Sequence, residues 1–248
     1  MTKLYLTVNG GNVDRYPSLI KSKYILGSYY YWRNKNIQQI YPNSEIILDS
    51  GVFTMFGKSG LSKKEVEEYT DKYIEYIITN NIKNFAEMDL DALFSYDFVL
   101  YLRRKIEKAV GRQSIPIWHT SRGKKEFIKM CEEYRYAGVG GIVTNEPIKK
   151  FRFMYPELNK LALSKNSKLH CMGFTPQKNL YKFGFYSSDS TSWTFGGRFG
   201  NLYKYRNGEL INIKKPSNYR IINGEQINEH NLNEWLKYQE YCDKFNEI

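Results

Sequence analysis

The stretch 185–193, FYSSDSTSW, carries a single acid, Asp189, among Ser187, Ser188, Ser190 and Thr191. The nearest carboxylates along the chain are Glu157 and Glu209. It reads as a short strand whose end presents one carboxylate among small hydroxyl donors, an arrangement suited to a nucleophile or a ligand. The same composition also suits an Asx or ST turn, whose side chains bond their own backbone. Four other polar groups stand in comparable places: Asp49 after EIIL, Asp89 after FAEM, His119 after SIPIW and Thr144 after GVGGIV. Any one of them can be a helix cap. Taken together at successive strand ends they point to a shared site, where two acids can divide nucleophilic attack from proton transfer.

The elements needed to gather these groups are legible in the pattern. Apolar, β-rich runs at 3–8, 24–31, 45–48, 85–88, 114–118, 138–143 and 169–174, with the stretch 185–193, make about eight strands. From the third strand onward a helix follows each. Ser62 and Glu65 form a capping box ahead of Val66, Tyr69, Tyr73, Ile74 and Ile77. Phe98, Val99, Leu102, Ile106 and Val110 line a helix closed by Gly111, and helices are expected at 124–134 and roughly 148–163. Strand and helix in alternation predict a parallel sheet, and eight units predict an α/β fold of the (β/α)8 barrel type, with an open doubly wound sheet as the competitor. The polar groups fall at the C-terminal strand ends, where barrel active sites lie.

After Trp193 the composition changes. Residues 194–200, TFGGRFG, form a Gly-rich loop bearing Arg198, and Asn207-Gly208 between 202–206 and 209–213 signals a type I′ hairpin. Lys204, Arg206, Lys214, Lys215 and Arg220 gather around it. A last helix at about 231–245 turns Leu232, Trp235, Cys242 and Phe245 inward and closes the barrel. The chain thus reads as one domain, 1–248, with 194–248 appended to the barrel; its length is ordinary for a single barrel.

A net charge of +11 suggests a polyanionic partner, although an AT-rich coding sequence also enriches Lys. Cys131, Cys171 and Cys242 are far apart and make no CxxC or Cys/His cluster, so neither a zinc site nor a disulfide framework is expected. The N-terminal MTKLYLTVNGG lacks the long apolar run of a signal peptide, and no segment has transmembrane length, so the chain reads as a soluble intracellular protein with no membrane partner. Most of the 22 tyrosines read as core and surface filler.

Several of these segments resemble a known family in order and spacing across roughly residues 40–200. Leu48-Asp49-Ser50-Gly51-Val52-Phe53 resembles the DSGGF motif of the tRNA-guanine transglycosylases. Met88-Asp89, Ala137-Gly138-Val139-Gly140-Gly141-Ile142, Cys171-Met172-Gly173-Phe174-Thr175-Pro176 and Ser188-Asp189-Ser190 are similar to its second guanine-binding acid, Gly-rich strand, MGxGTP-like segment and nucleophile. The chain departs from the family in lacking its zinc site of three Cys and a His. Val52 also replaces a Gly, and His119 stands where a Gln usually reads the base. The DSTSW and PIWH forms and the small size look more like the phage DNA-guanine transglycosylases (DpdA-type).

That resemblance implies a glycosyltransferase of the barrel fold that exchanges guanine in phage DNA for a 7-deazaguanine, 7-cyano-7-deazaguanine (preQ0) or a relative, in the cytoplasm of an infected cell. It implies Asp189 as the nucleophile at C1′ and Asp49 as general acid/base. Asp89 would accept from the guanine edge, His119 donate to O6, and Gly140, Gly141 and Ile142 let backbone approach the base. Ser50, Phe53 and Met172 would complete the base pocket, with Phe53 stacking on the purine. Arg198, Lys204, Arg206, Lys214 and Lys215 would hold the nucleic acid, and no cofactor is required. The alternatives are the same exchange on tRNA, a barrel that only binds nucleic acid, and a hydrolase that removes a base.

Overall fold

The computed structural model describes residues 2–56, 62–140, 152–214, 216, 218 and 220–244. In chain order the sheet strands are β1 (Lys3–Val8), β2 (Tyr24–Ser28), β3 (Glu45–Asp49), β4 (Asn84–Phe85), β5 (Ile117–Trp118), β6 (Tyr136–Val139), β7 (Lys168–Cys171) and β8 (Ser187–Ser190). They pair in parallel in the order β4-β3-β2-β1-β8-β7-β6-β5. The two outer strands of that order meet through a parallel bridge between Ala86 and Ile115, where the Glu87 amide donates to the Ile115 carbonyl. The sheet is therefore curled on itself into a (β/α)8 barrel-like fold, and the open doubly wound alternative is excluded.

Period-two alternation sorts the strand residues into two cores. Tyr5, Leu26, Ile47, Ala86, Ile115 and Ile117 pack together inside the barrel, with Tyr136 and Met172 against them. Leu4, Leu6, Ile25, Ile46, Leu48, Ala137 and Leu169 face outward into the larger core shared with the helices. The helices are α1 (Asn12–Arg15), α2 (Tyr29–Trp32), α3 (Ile37–Ile40), α4 (Val52–Phe56), α5 (Lys63–Thr79), α6 (Tyr96–Val110), α7 (Gly123–Glu133), α8 (Tyr155–Ser164), α9 (Phe195–Phe199) and α10 (Gly224–Lys244). The Ser62–Glu65 capping box opens α5, and Gly111 in the left-handed region closes α6, as the sequence indicates.

Some boundaries differ from the sequence reading. The strand expected at 24–31 stops at Ser28, and the tyrosines that follow turn into α2. Gly27 explains the turn: a Cβ there would lie 2.3 Å from Ile37 Cδ1, so only Gly lets Ile37 and Trp32 close over the strand end. The run 114–118 is a regular strand only at Ile117–Trp118, with the single bridge at Ile115 before it, and Pro116 between them has no N–H to donate. The final helix starts at Gly224, earlier than expected. Phe245 lies outside the described residues.

After β8 the chain forms the antiparallel hairpin β9 (Asn201–Arg206) and β10 (Glu209–Lys214). Asn207 and Gly208 both have positive φ, the signature of the expected type I′ turn. The outer edge of β9 is capped by α10: the amides of Tyr203 and Tyr205 donate to Asn231 Oδ1 and Glu234 Oε2 at 2.8 and 2.6 Å. On the other edge the Leu210 amide donates to the Gln177 carbonyl at 2.7 Å, joining the hairpin to the loop after β7.

Candidate active site

The C-terminal strand ends bring Asp49, Asp89, His170 and Asp189 close enough for their charges to act on one another, above the apolar barrel interior. Asp189, on β8, is buried and gathers donors from its neighbours on both sides. From β1, Thr7 Oγ1 donates to Oδ2 at 3.1 Å. From β7 and the loop after it, His170 Nε2 lies 3.3 Å from Oδ1 and the Gly173 amide donates to Oδ1 at 2.6 Å. Thr175 Oγ1 donates to the Asp189 carbonyl at 2.6 Å. These bonds pin both the carboxylate plane and the backbone beneath it. The neighbouring hydroxyl of Ser188 is turned outward, bonding the carbonyls of Cys171 and Phe174, and so braces the strand instead of the cluster. The closing aromatic of the stretch, Trp193, is fully buried and donates its indole N–H to the Thr7 carbonyl at 3.1 Å, locking β8's exit against β1. Asp189 is thus more than an Asx turn, since its partners come from the ends of two other strands, β1 and β7.

Asp49 terminates β3 on the other side of the cluster, half-buried, with the Gly51 amide donating to its Oδ2 at 2.9 Å. Gly51 has φ +66, and a Cβ there would press within 2.4 Å of Ser28 Oγ, so the DSG turn needs Gly. Burial pushes the Asp49 carboxyl up to about 6; the Gly51 amide pulls it back, and the charges of Asp89 and Asp189 push it further up. The three acids therefore feel one another. The wall under Asp49 is fixed by tyrosines of α5: Tyr69 donates to the Ser50 carbonyl at 2.7 Å, and Tyr73 bridges the Leu48 and Ala86 carbonyls at 3.0 and 2.9 Å. Those tyrosines are scaffold with assigned partners, where sequence alone offers only filler.

Asp89, after β4, and His119, after β5, bond directly: His119 Nε2 to Asp89 Oδ1 is 2.7 Å. Burial lowers the His119 pKa, but the hydrogen bond and charge of Asp89 outweigh it, and the net shift is upward. Asp91, two residues further on, is committed elsewhere. It forms a bidentate pair with Arg122, at 2.5 and 2.7 Å, and Arg122 also reaches the fully buried Glu87 at 3.4 Å, which Arg103 holds at 2.6 Å. This ion-pair cluster behind the sheet orients the loop that carries Asp89. Gly140 lies under His119: a Cβ would sit 2.8 Å from His119 Cε1 and 2.7 Å from Ile117 Cγ2.

The other expected site residues divide. Met172 is half-buried against the barrel-interior cluster. Ser50 is only 1% exposed and belongs to the wall. Phe53 lies in α4, with its side chain outside the described set, and Gly141, Ile142, Val143 and Thr144 lie outside the described residues. Arg198, on α9, is exposed. Lys204 and Arg206 are exposed on one face of the hairpin, with Ile211 and Ile213. Lys214, paired with Asn201, falls on the opposite face, so it does not continue a track with them. Lys215 lies outside the described residues.

Sequence reasoning missed His170 and Thr7. The signal for His170 was its parity: two residues before Met172 on one strand, it must share the inward face. Among the described residues no group of His, Cys, Asp and Glu is arranged to hold a metal ion, and no helix is long and apolar enough to cross a membrane.

Comparison with known proteins adds the fold alone. No family model matches the chain, and no curated protein matches it. A solved structure described as "Structural study of Project ID from Aquifex aeolicus VF5" is similar with a TM-score of 0.54 and 11% identity, over 96% of this chain and 91% of its own.

Proposed function

We propose that the protein exchanges a purine base in DNA, replacing guanine with a 7-deazaguanine through a covalent Asp189 intermediate. The observation that carries this reading is the pairing of a carboxylate held by three donors, Asp189, with a carboxyl raised to about 6, Asp49, in one cluster. In the first half-reaction Asp189 Oδ2 attacks C1′ of the target nucleotide and the C1′–N9 bond breaks. The bond's electron pair leaves with guanine, which takes a proton from the Asp49 carboxyl. In the second, the incoming base gives its N9 proton to the Asp49 carboxylate and attacks C1′; the C1′–Oδ2 bond breaks and its electrons return to Asp189. Two displacements on the same anomeric carbon retain configuration, as in two-carboxylate glycosidases.

Asp89 and His119 suit the base edge. A carboxylate only accepts, matching the N1–H and 2-amino donors of guanine, and a His whose pKa is raised is the better donor to O6. Reaching C1′ requires the target base to be unstacked or flipped, at a cost of about a few kcal/mol. The hairpin is fastened to the loop that holds Asp189 through Gly173 and Thr175, and in this reading Lys204 and Arg206, exposed on one of its faces, serve as phosphate contacts.

The test is incorporation of labelled 7-cyano-7-deazaguanine into duplex DNA, with tRNA in parallel. Label in DNA and release of guanine in equal amount are expected. Label in tRNA alone transfers the same chemistry to the other polymer. Guanine release without label makes the protein a hydrolase, and neither event in either polymer overturns the exchange reading.

A further inference from the structure

Beneath Asp189 a line of side-chain hydrogen bonds runs down the inside of the barrel. His170 is 1% exposed; its Nε2 lies 3.3 Å from Asp189 Oδ1, and its Nδ1 lies 2.7 Å from Ser187 Oγ. Ser187 Oγ lies 2.5 Å from the hydroxyl of Tyr136. The ring is gripped edge-on by Tyr5 and Tyr136, at 5.9 and 6.4 Å between centroids. Tyr136 in turn meets Tyr186 edge-on at 5.5 Å, and the ammonium groups of Lys168 and Lys3 lie 4.4 and 4.9 Å from the Tyr186 ring. The four polar groups come from three neighbouring strands, β6, β7 and β8, so the line is built into the barrel's register.

The chemistry of the end group sets the direction of every bond. A carboxylate accepts only, so His170 Nε2 must donate to Asp189. In the tautomer with its hydrogen on Nε2, Nδ1 accepts from the Ser187 hydroxyl, whose oxygen then accepts from Tyr136. Every donor is used once and every link has one orientation. We propose that His170, oriented by Ser187 and Tyr136, is a positioning residue for the Asp189 nucleophile. It holds Oδ1 so that Oδ2, which among the described residues bonds the Thr7 hydroxyl, is the atom that attacks.

This role rests on the base-exchange reading. It has a further consequence for the second half-reaction. Once Oδ2 is bonded to C1′, Oδ1 is the ester carbonyl oxygen and keeps its donors, His170 and Gly173. When the incoming base attacks, negative charge returns to the carboxylate, and those donors make it the better leaving group. Loss of His170 therefore slows resolution of the adduct as well as exchange.

Two measurements test the assignment. In heteronuclear NMR of the histidine side chains, His170 is expected with its hydrogen on Nε2, and Asp189→Ala is expected to release it to a mixture of tautomers. In exchange kinetics with labelled 7-cyano-7-deazaguanine and DNA, His170→Phe is expected to lower kcat by about 10- to 100-fold, the worth of a hydrogen bond to a charged group, with KM for the base little changed. The covalent protein–DNA adduct is expected to persist longer in the same variant. His170→Gln, whose amide N–H can still donate to Asp189, is expected to recover part of the loss, and it also serves if His170→Phe fails to fold. A ring hydrogen on Nδ1 in the unmodified protein, or unchanged kcat in a folded His170→Phe variant, overturns the proposal. If the unmodified protein labels neither DNA nor tRNA, the exchange reading fails, while the tautomer and its response to Asp189→Ala still decide whether the hydrogen-bonded line exists.

Discussion

Asp189 and Asp49 are the same side chain at the ends of two strands of one barrel, and their surroundings differ in kind. The β7–β8–β1 side gives Asp189 donors: a backbone amide, a hydroxyl and an imidazole, from residues far apart in sequence. The β3–β4 side gives Asp49 one amide and one neighbouring acid, Asp89, while Asp189 adds its charge from β8. Donors stabilise a carboxylate where it stands, whereas burial beside like charges favours its protonated form. One fold thus gives a single residue type two settings, Asp189 among donors and Asp49 buried beside like charges with its carboxyl raised, and the proposed displacement would use them as nucleophile and proton carrier.

The sharpest way to break this contrast is to neutralise each acid in turn. Asp189→Asn is expected to abolish exchange and adduct formation while DNA binding remains, read by label incorporation and by a gel-shift titration. Residual exchange at the unmodified rate would remove Asp189 from the nucleophile's role.

Asp49→Asn is expected to lower exchange by about 10²- to 10⁴-fold, the usual worth of a general acid. Its effect on stability has the opposite sign. At pH below the ordinary value of 3.8 the Asp49 carboxyl is protonated in both folded and unfolded chains. Between 3.8 and about 6 the folded chain keeps a proton that the unfolded chain loses, so stability falls as pH rises through that window and stays lower above it. Asp49→Asn removes that penalty. Urea unfolding is expected to show it more stable than the unmodified protein by about 2–3 kcal/mol at pH 7.5 and equal to it near pH 3.5. Exchange by the unmodified protein is expected to decline as pH rises above about 6, as the acid loses its proton. A flat rate from pH 5 to pH 8 would assign the proton to another group.

The contrast also bears on what the sequence discloses. Both acids, the barrel and the type I′ hairpin were legible because each rests on local information: a strand's period, a helix cap, the Asn-Gly pair. The partners that differentiate the acids were not. Thr7 lies 182 positions from Asp189, and His170 reads as one apolar-strand residue among others until β7 is set beside β8. Helix α2 was hidden for a related reason: YYYW has strong β propensity, and only the closure of Ile37 and Trp32 over Gly27 turns the chain. The ion-pair cluster of Glu87, Arg103, Arg122 and Asp91 joins two loops and a helix, so composition could not separate Asp91 from Asp89.

A smaller effect probes the acidic side through its neighbour. Gly140→Ala forces a methyl to within 2.8 Å of the His119 ring and 2.7 Å of Ile117, so the ring that Asp89 holds must shift. A displacement of this size is expected to lower kcat/KM for the incoming base by about 10- to 100-fold, chiefly through KM, with the adduct to Asp189 still formed. An unchanged KM would place the base away from the Asp89–His119 pair.

The smallest expected effects lie on the hairpin, and they sharpen the comparison by separating chemistry from grip. Strand register puts Lys204 and Arg206 on one face and Lys214 on the other. If DNA crosses the first face, Lys204→Ala and Arg206→Ala each reduce the slope of log affinity against log salt by about 1, because each removes one phosphate contact and its released counterion. Lys214→Ala leaves the slope unchanged. None of the three alters the rate of exchange at saturating DNA, since none reaches either acid. Equal slopes for all three variants would mean that the polymer does not follow the hairpin's face. The path of the nucleic acid would then have to be sought around the strand ends themselves, on the side where Asp49 and Asp89 stand.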